Sequence, residues 1–169
     1  MNDIEDRMLP NFNWAIEGLL AGMAHPGSSF SDPFDDLKEL RAMGFSVLVT
    51  LTESPLPFDV VMRSGLAPVH IPIADFKSPT IEQTEGFCGL VDRMRDQNRM
   101  VAVHCYAGLG RTGTMLAAYL IHREGLGAAE AMERMRRINA GYIQSDVQEA
   151  FLHEWAENVK KNQGRTERS

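Results

Sequence analysis

The chain has 169 residues, 44% hydrophobic and 24% charged, which excludes a disordered polymer and supplies enough apolar material for one domain with a buried core. Its formal net charge of −6 argues against a nucleic-acid or anionic-membrane binder held by general electrostatics, while leaving room for a small local cationic pocket. Two cysteines cannot build a disulfide framework, no His/Cys/Asp cluster has metal-ligand spacing, and the longest apolar run, Met115–Ile121, is too short to cross a bilayer.

Met1–Pro10 is polar and carries no apolar signal-peptide segment, so residues 1–10 are expected to form a loose arm and the cytoplasm is the default location. Phe12–Ile16 and Leu19–Gly22 predict a short hairpin or two edge strands, with Trp14 as its anchor. After a loop at His25–Asp32, Asp32 reads as an N-cap and Pro33 as the first helical residue. Phe34, Leu37, Leu40 and Met43 then line one helical face, and Gly44 ends the helix. Phe45–Leu51 reads as a buried strand, Phe58–Ser64 as a short helix and Ala67–Ile73 as another strand, followed by a loop at Ala74–Pro79. Thr80-Ile-Glu-Gln83 is a capping box opening a helix to about Asn98, with Phe87, Cys88, Val91 and Met94 inward. On that stripe Cys88 is expected to be a core residue and not a resolving thiol.

Met100–Val103 reads as a strand and Thr114–Glu124 as a helix ended by Gly125. A further helix is expected over Gly127–Asn139, with Ala129, Met132, Met135 and Ile138 inward and Arg134, Arg136 and Arg137 alternating with Glu130 and Glu133 on a solvated, paired face. Ser145-Asp-Val-Gln148 is a second capping box into a last helix packed through Phe151, Leu152, Trp155 and Val159, and Lys160–Ser169 is expected to fray. The pattern predicts an α/β fold: a domain at 11–160 with a mixed, largely parallel sheet of about five strands flanked by helices on both faces, and a polar tail at 161–169.

The chemistry concentrates in Val101-Ala-Val-His104-Cys105-Tyr106-Ala107-Gly108-Leu109-Gly110-Arg111-Thr112-Gly113-Thr114. A strand, a tight turn and a helix N-terminus together make an anion site, because N–H groups without intrahelical partners and the helix dipole both favour negative charge there. Cys105 opens the loop, where positive potential favours thiolate over thiol, and Arg111 closes it with a planar fork of donors suited to phosphate oxygens. Nucleophile and oxyanion clamp in one loop predict phosphoryl transfer to sulfur followed by hydrolysis. The same stretch satisfies G-x-G-x-x-G, but a dinucleotide site needs a following strand with an acidic residue about 20 positions on, and Glu130 and Glu133 fall instead in a helical pattern. A plain structural turn would leave His104 and Arg111 without a role.

His104-Cys105-x5-Arg111-Thr112 resembles the signature of the cysteine-dependent protein tyrosine phosphatase superfamily. The chain from Asn11-Phe-Asn-Trp14 to the last helix is similar to the small atypical dual-specificity phosphatases. The resemblance implies Cys105 as nucleophile, His104 ordering the loop, and the amides of Tyr106, Ala107, Gly108, Leu109 and Gly110 binding phosphate together with Arg111. It implies Thr112 easing departure of the sulfur, and Gln148 as a water-orienting residue, a position its capping box explains equally well. Departure of an alkoxide or phenoxide from phosphorus needs a proton donor. The resemblance places that acid on the loop after the Ala67–Ile73 strand, where Asp75 stands, with Asp59 and then Glu53 behind it.

The expected function is metal-independent hydrolysis of phosphotyrosine, with phosphoserine and phosphothreonine, in proteins, by a monomer without cofactor. The alternatives are a phosphatase for an RNA 5′ end, an inositol phosphate or a nucleotide, and a phospho-binding module without turnover. The loop interior at Tyr106, Ala107 and Leu109 holds no lysine, which disfavours phosphoinositides, and no basic channel for RNA is evident.

Overall fold

The computed structural model describes residues 9–169. The elements run β1 (Asn13–Ile16), β2 (Leu20–Met23), α1 (Pro33–Ala42), β3 (Phe45–Thr50), α2 (Phe58–Arg63), β4 (Ala67–His70), α3 (Ile81–Asp96), β5 (Met100–His104), α4 (Gly110–Glu124), α5 (Ala128–Ile138) and α6 (Asp146–Thr166). The strands form one sheet in the order β1-β2-β5-β3-β4, antiparallel between β1 and β2 and parallel elsewhere. This is the mixed, largely parallel sheet expected, with β5 at its centre.

Both faces of the sheet are covered, which is why its inner strands read as continuous apolar runs. Val101 and Val103 of β5, with Val47 and Val49 of β3, face the core under α3, α4, α5 and α6. Ala102 and Leu48 face a second core, with Leu37 and Leu40 of α1 and Val61 of α2. Trp14 belongs to this second side, stacked on Phe45 with ring centroids 5.2 Å apart, so it anchors the hairpin as expected. Helix α4 is buried from Gly110 to Ile121 and lies against the sheet inside the other helices, and Trp155 of α6 donates its indole N–H to the Ala118 carbonyl at 2.9 Å.

Local signals hold where the chemistry is local. Asp32 caps α1 by accepting from the Phe34 N–H, and both capping boxes are formed, Thr80 with Gln83 and Ser145 with Gln148. Gly125 ends α4 in the left-handed conformation. Beyond β4, the Ile71 and Ile73 N–H groups still donate to Thr50 and Leu51 of the β3 side, so the expected strand continues loosely past Pro72.

Three expectations are corrected. Helix α4 begins at Gly110 and not at Thr114, because Gly110 and Arg111 already form its first turn. In α5 the buried line is Ala128, Ala131, Met132 and Met135, while Ala129 and Ile138 are exposed. A step of three from Ala129 to Ile138 drifts around a helix of 3.6 residues per turn, whereas the observed positions stay on one face. Helix α6 continues through Lys160 to Thr166, where fraying was expected. The arm expected over residues 1–10 lies outside the described residues for 1–8, and Leu9 is buried in the second core. Among the described residues no helix is long and apolar enough to cross a membrane.

Candidate active site

The loop of residues 105–109 joins the end of β5 to the start of α4, and its backbone is shaped from outside. The Tyr106 carbonyl accepts from the His25 N–H at 2.8 Å, and the Ala107 carbonyl accepts from Asn11 Nδ2 at 2.7 Å. The Leu109 carbonyl accepts from the Gly113 and Ile143 N–H groups, and the Cys105 carbonyl lies 2.8 Å from His104 Nδ1. In a planar trans peptide the N–H points opposite to the carbonyl. Tying these carbonyls to outer partners therefore turns the N–H groups of Tyr106, Ala107, Gly108 and Gly110 the other way. Among the described residues no carbonyl or side chain takes up the N–H of Tyr106, Ala107, Gly108 or Leu109.

Gly108 makes the turn with φ +76, and a Cβ there would lie 2.4 Å from the Met23 carbonyl carbon and oxygen at the end of β2. Only glycine fits both the dihedral and the space. A Cβ on Gly110 would meet Gln144 Oε1 at 2.9 Å and Gln148 Nε2 at 3.3 Å, so that position admits two glutamines close to the loop.

Cys105 is buried, and Thr112 Oγ1 donates to its Sγ at 3.1 Å from the first turn of α4. His104 is fully buried behind it. Its Nδ1 faces an acceptor, the Cys105 carbonyl, and so carries the proton, which leaves Nε2 to accept from Thr50 Oγ1 at 2.8 Å. Burial pushes the His104 imidazole down to about 4, against a smaller upward effect of the carbonyl bond, with His25 and Arg111 lowering it further. The ring is thus neutral at pH 7 and fixed between β3 and the loop.

Arg111, 5% exposed, donates Nη1–H to the Ile73 carbonyl at 2.9 Å, and its Nη2 lies 3.5 Å from Asp75 Oδ1. The same Asp75 oxygen accepts the Phe76 N–H at 3.0 Å, while the carboxylate remains largely exposed. Of the three carboxylates considered from the sequence, Asp75 is the one ion-paired to Arg111; Asp59 stands in the first turn of α2 and Glu53 in the loop after β3. Tyr106 and Phe76 are exposed aromatics beside this centre, one following Cys105 and the other following Asp75.

Gln148 is fully buried, and its polar atoms are engaged. Its Oε1 accepts from the Gln144 and Ser145 N–H groups, and its Nε2 donates to the Lys77 carbonyl at 3.2 Å. Gln144, to which the sequence alone assigns no role, is exposed, makes no side-chain hydrogen bond among the described residues, and brings its Oε1 near Gly110. The signal that could have found it is its place just before the N-cap Ser145, at the helix end nearest the loop. Cys88 lies in the core as a free thiol, and burial, with Asp92 and Glu85 nearby, pushes it up, away from the thiolate. Among the described residues no strand follows α4, so the dinucleotide alternative lacks its second half, and Glu130 and Glu133 pair with Arg134 and Arg137 on α5.

A family model described as polymorphic toxin system, DSP-PTPase phosphatase, matches residues 21–125, more than half of the chain. The chain belongs to the DSP-PTPase phosphatase family. Other comparisons point the same way for this DSP-PTPase domain. Tyrosine-protein phosphatase cdc-14 of Caenorhabditis elegans is 30% identical over 144 residues, 79% of this chain and 20% of its own length. Dual specificity protein phosphatase MPK-4 of Drosophila melanogaster is 30% identical over 114 residues, 63% of this chain and 30% of its own length. The chain thus spans less than a third of these curated relatives. The crystal structure of Tk-PTP in the active form matches with a TM-score of 0.78 at 29% identity, covering 89% of this chain and 99% of that one. The resemblance to the protein tyrosine phosphatase superfamily read from His104-Cys105-x5-Arg111-Thr112, and to the small atypical dual-specificity phosphatases read from the chain as a whole, is borne out.

Proposed function

We propose that this DSP-PTPase domain hydrolyses phosphotyrosine, and phosphoserine and phosphothreonine, in proteins through a cysteinyl-phosphate intermediate. The observation that carries the reading is Arg111 held between the Ile73 carbonyl and the Asp75 carboxylate, at the far end of the loop that Cys105 opens. Clamp, acid and nucleophile are thereby joined to one backbone frame.

In the first step the Cys105 sulfur forms a bond to phosphorus as the bond to the substrate oxygen breaks. That oxygen leaves with the electron pair and takes a proton from the Asp75 carboxyl. The equatorial phosphoryl oxygens gather charge in the transition state, where Arg111 and the N–H groups of residues 106–110 stabilise it. In the second step water attacks phosphorus, Asp75 accepts its proton, and the sulfur departs with the Thr112 hydroxyl hydrogen-bonded to it. The positive charge comes from the guanidinium and the amides, so the proposal requires no metal. Gln144, whose side-chain amide makes no hydrogen bond among the described residues and lies beside Gly110, orients the attacking water; Gln148, the position indicated by the resemblance, supports this from behind through the Gln144 N–H.

The thiolate chemistry requires a reducing compartment, so the proposal includes a cytoplasmic location, a monomer with a self-contained site and a phosphorylated protein as partner. Its test is turnover of an aryl phosphate and a phosphotyrosine peptide in excess chelator. Turnover by the wild type that is abolished in Cys105→Ser is expected. Survival of turnover in that variant, or preference for an RNA 5′ end, inositol phosphate or nucleotide over phosphopeptide, contradicts it.

A further inference from the structure

The loop of residues 74–79, which carries Asp75, is fastened to an element far from it in sequence. Ser145 Oγ donates to the Phe76 carbonyl at 2.6 Å, and Gln148 Nε2 donates to the Lys77 carbonyl at 3.2 Å. Both donors belong to the capping box of α6, with Ser145 at the N-cap. Phe76 has φ +60, a left-handed conformation costly for a residue with a Cβ, so something must hold it there. Its own ring does not, being 56% exposed. Its N–H in turn holds Asp75 Oδ1, so the backbone conformation at Phe76 sets where the carboxyl stands.

We infer that Ser145 is a positioning residue for Asp75, latching the acid-bearing loop onto the N-terminus of α6. The inference rests on the phosphatase reading above. A serine hydroxyl has one proton and can also accept. Here it accepts the Gln148 N–H at 3.2 Å as the helix cap and gives its proton to Phe76. The two tasks use different parts of the same atom group and can be separated by substitution. An aspartate at 145 keeps the cap acceptor and has no proton to donate, and it faces the Phe76 carbonyl with negative charge. A threonine keeps both. At position 148 a glutamate keeps the oxygen that accepts from Gln144 and Ser145 and loses the donor to Lys77.

The test compares wild type, Ser145→Asp, Ser145→Thr and Gln148→Glu for kcat/KM on nitrophenyl phosphate and on phenyl phosphate, whose leaving group needs protonation far more. Ser145→Asp is expected to lose about 10- to 100-fold on phenyl phosphate and under about 3-fold on nitrophenyl phosphate, a part of the range for general-acid catalysis. Gln148→Glu moves the same way, and Ser145→Thr stays near wild type. In an Asp75→Ala background Ser145→Asp adds no further loss, because the acid it positions is gone. Equal losses on both substrates, or a further loss in that background, overturn the inference.

A second readout is independent of turnover. Amide exchange at Phe76 and Lys77, whose N–H groups bond Asp75 Oδ1 and the Ala74 carbonyl, is expected to quicken in Ser145→Asp and not in Ser145→Thr. Unchanged exchange in Ser145→Asp also overturns it. Wild-type turnover lost in Cys105→Ser belongs to the phosphatase reading, so failure of that reading and failure of the latch are told apart.

Discussion

Arg111 and Asp75 stand 3.5 Å apart, Nη2 to Oδ1, with the guanidinium also donating to the Ile73 carbonyl at 2.9 Å. In the proposed mechanism, the cation that grips phosphate and the carboxyl that serves the leaving oxygen are therefore set by a common contact, between the first turn of α4 and the loop after β4. The guanidinium is buried and held by both contacts. In the proposed mechanism that arrangement lowers the reorganisation left for the phosphoryl transfer.

Arg111→Lys is expected to cost about 10²- to 10³-fold in kcat, because an ammonium is a point charge without the paired planar donors that reach phosphate while still bonding Ile73. Thermal stability should change little by comparison. Steady-state kinetics on an aryl phosphate check this, and a Lys variant within a few-fold of wild type contradicts the role.

Asp75→Asn removes the transferable proton and keeps the shape. The loss in kcat/KM should be small for nitrophenyl phosphate and about 10²-fold or more for phenyl phosphate, within the range of general acid catalysis. A plot of rate against leaving-group basicity should steepen in the variant. An unchanged slope assigns the acid elsewhere.

His104 predicts a stability that depends on acid pH. Its folded value of about 4 lies below the ordinary 6.5, so the unfolded chain binds a proton there that the native state refuses. The contribution is complete above about pH 6.5 and is lost as pH falls toward 4, a loss of order 3 kcal/mol. Denaturant unfolding across this range, wild type against His104→Asn, should show the difference between the two curves shrinking toward acid pH. A constant difference contradicts the neutral imidazole between Thr50 and the Cys105 carbonyl.

Gly108 and Gly86 should respond in opposite directions to alanine. At Gly108 a Cβ collides with the Met23 backbone at φ +76, so Gly108→Ala should distort the loop and abolish turnover. At Gly86, inside α3, a Cβ meets nothing within 4 Å, and Gly86→Ala should stabilise by about 0.5–1 kcal/mol with turnover intact. Melting curves and activity on the two variants check both.

The fold was legible where information is local. Asp32-Pro33, Thr80 with Gln83, and Ser145 with Gln148 marked helix starts by side chain–backbone chemistry within four residues, and the apolar runs at Phe45 and Met100 marked strands buried on both faces. The turn from Cys105 to Arg111 between β5 and α4 was legible because the end of an apolar strand, the turn glycines and a helix start lie within one short stretch. The face of α5 was misread because Ala129, Met132, Met135 and Ile138 tempt a step of three, while a helix turns in 3.6. The ties from Ser145 to Phe76, Gln148 to Lys77 and Arg111 to Ile73 left no trace in the sequence, since each joins distant segments through a backbone carbonyl that any residue carries. The approach of Gln144 to the loop left no trace for a related reason: it depends on Gly110 lacking a Cβ, which shows only when α4 and α6 are placed together.

The proposed reaction turns on sulfur accepting the phosphoryl group. Rapid acid quench of the Asp75→Asn variant during turnover of nitrophenyl phosphate, followed by peptide mass analysis, measures it directly. One phosphoryl group is expected on the peptide containing Cys105, absent when Cys105 is serine. Turnover with that peptide unmodified, or with the phosphoryl group on another residue, contradicts it.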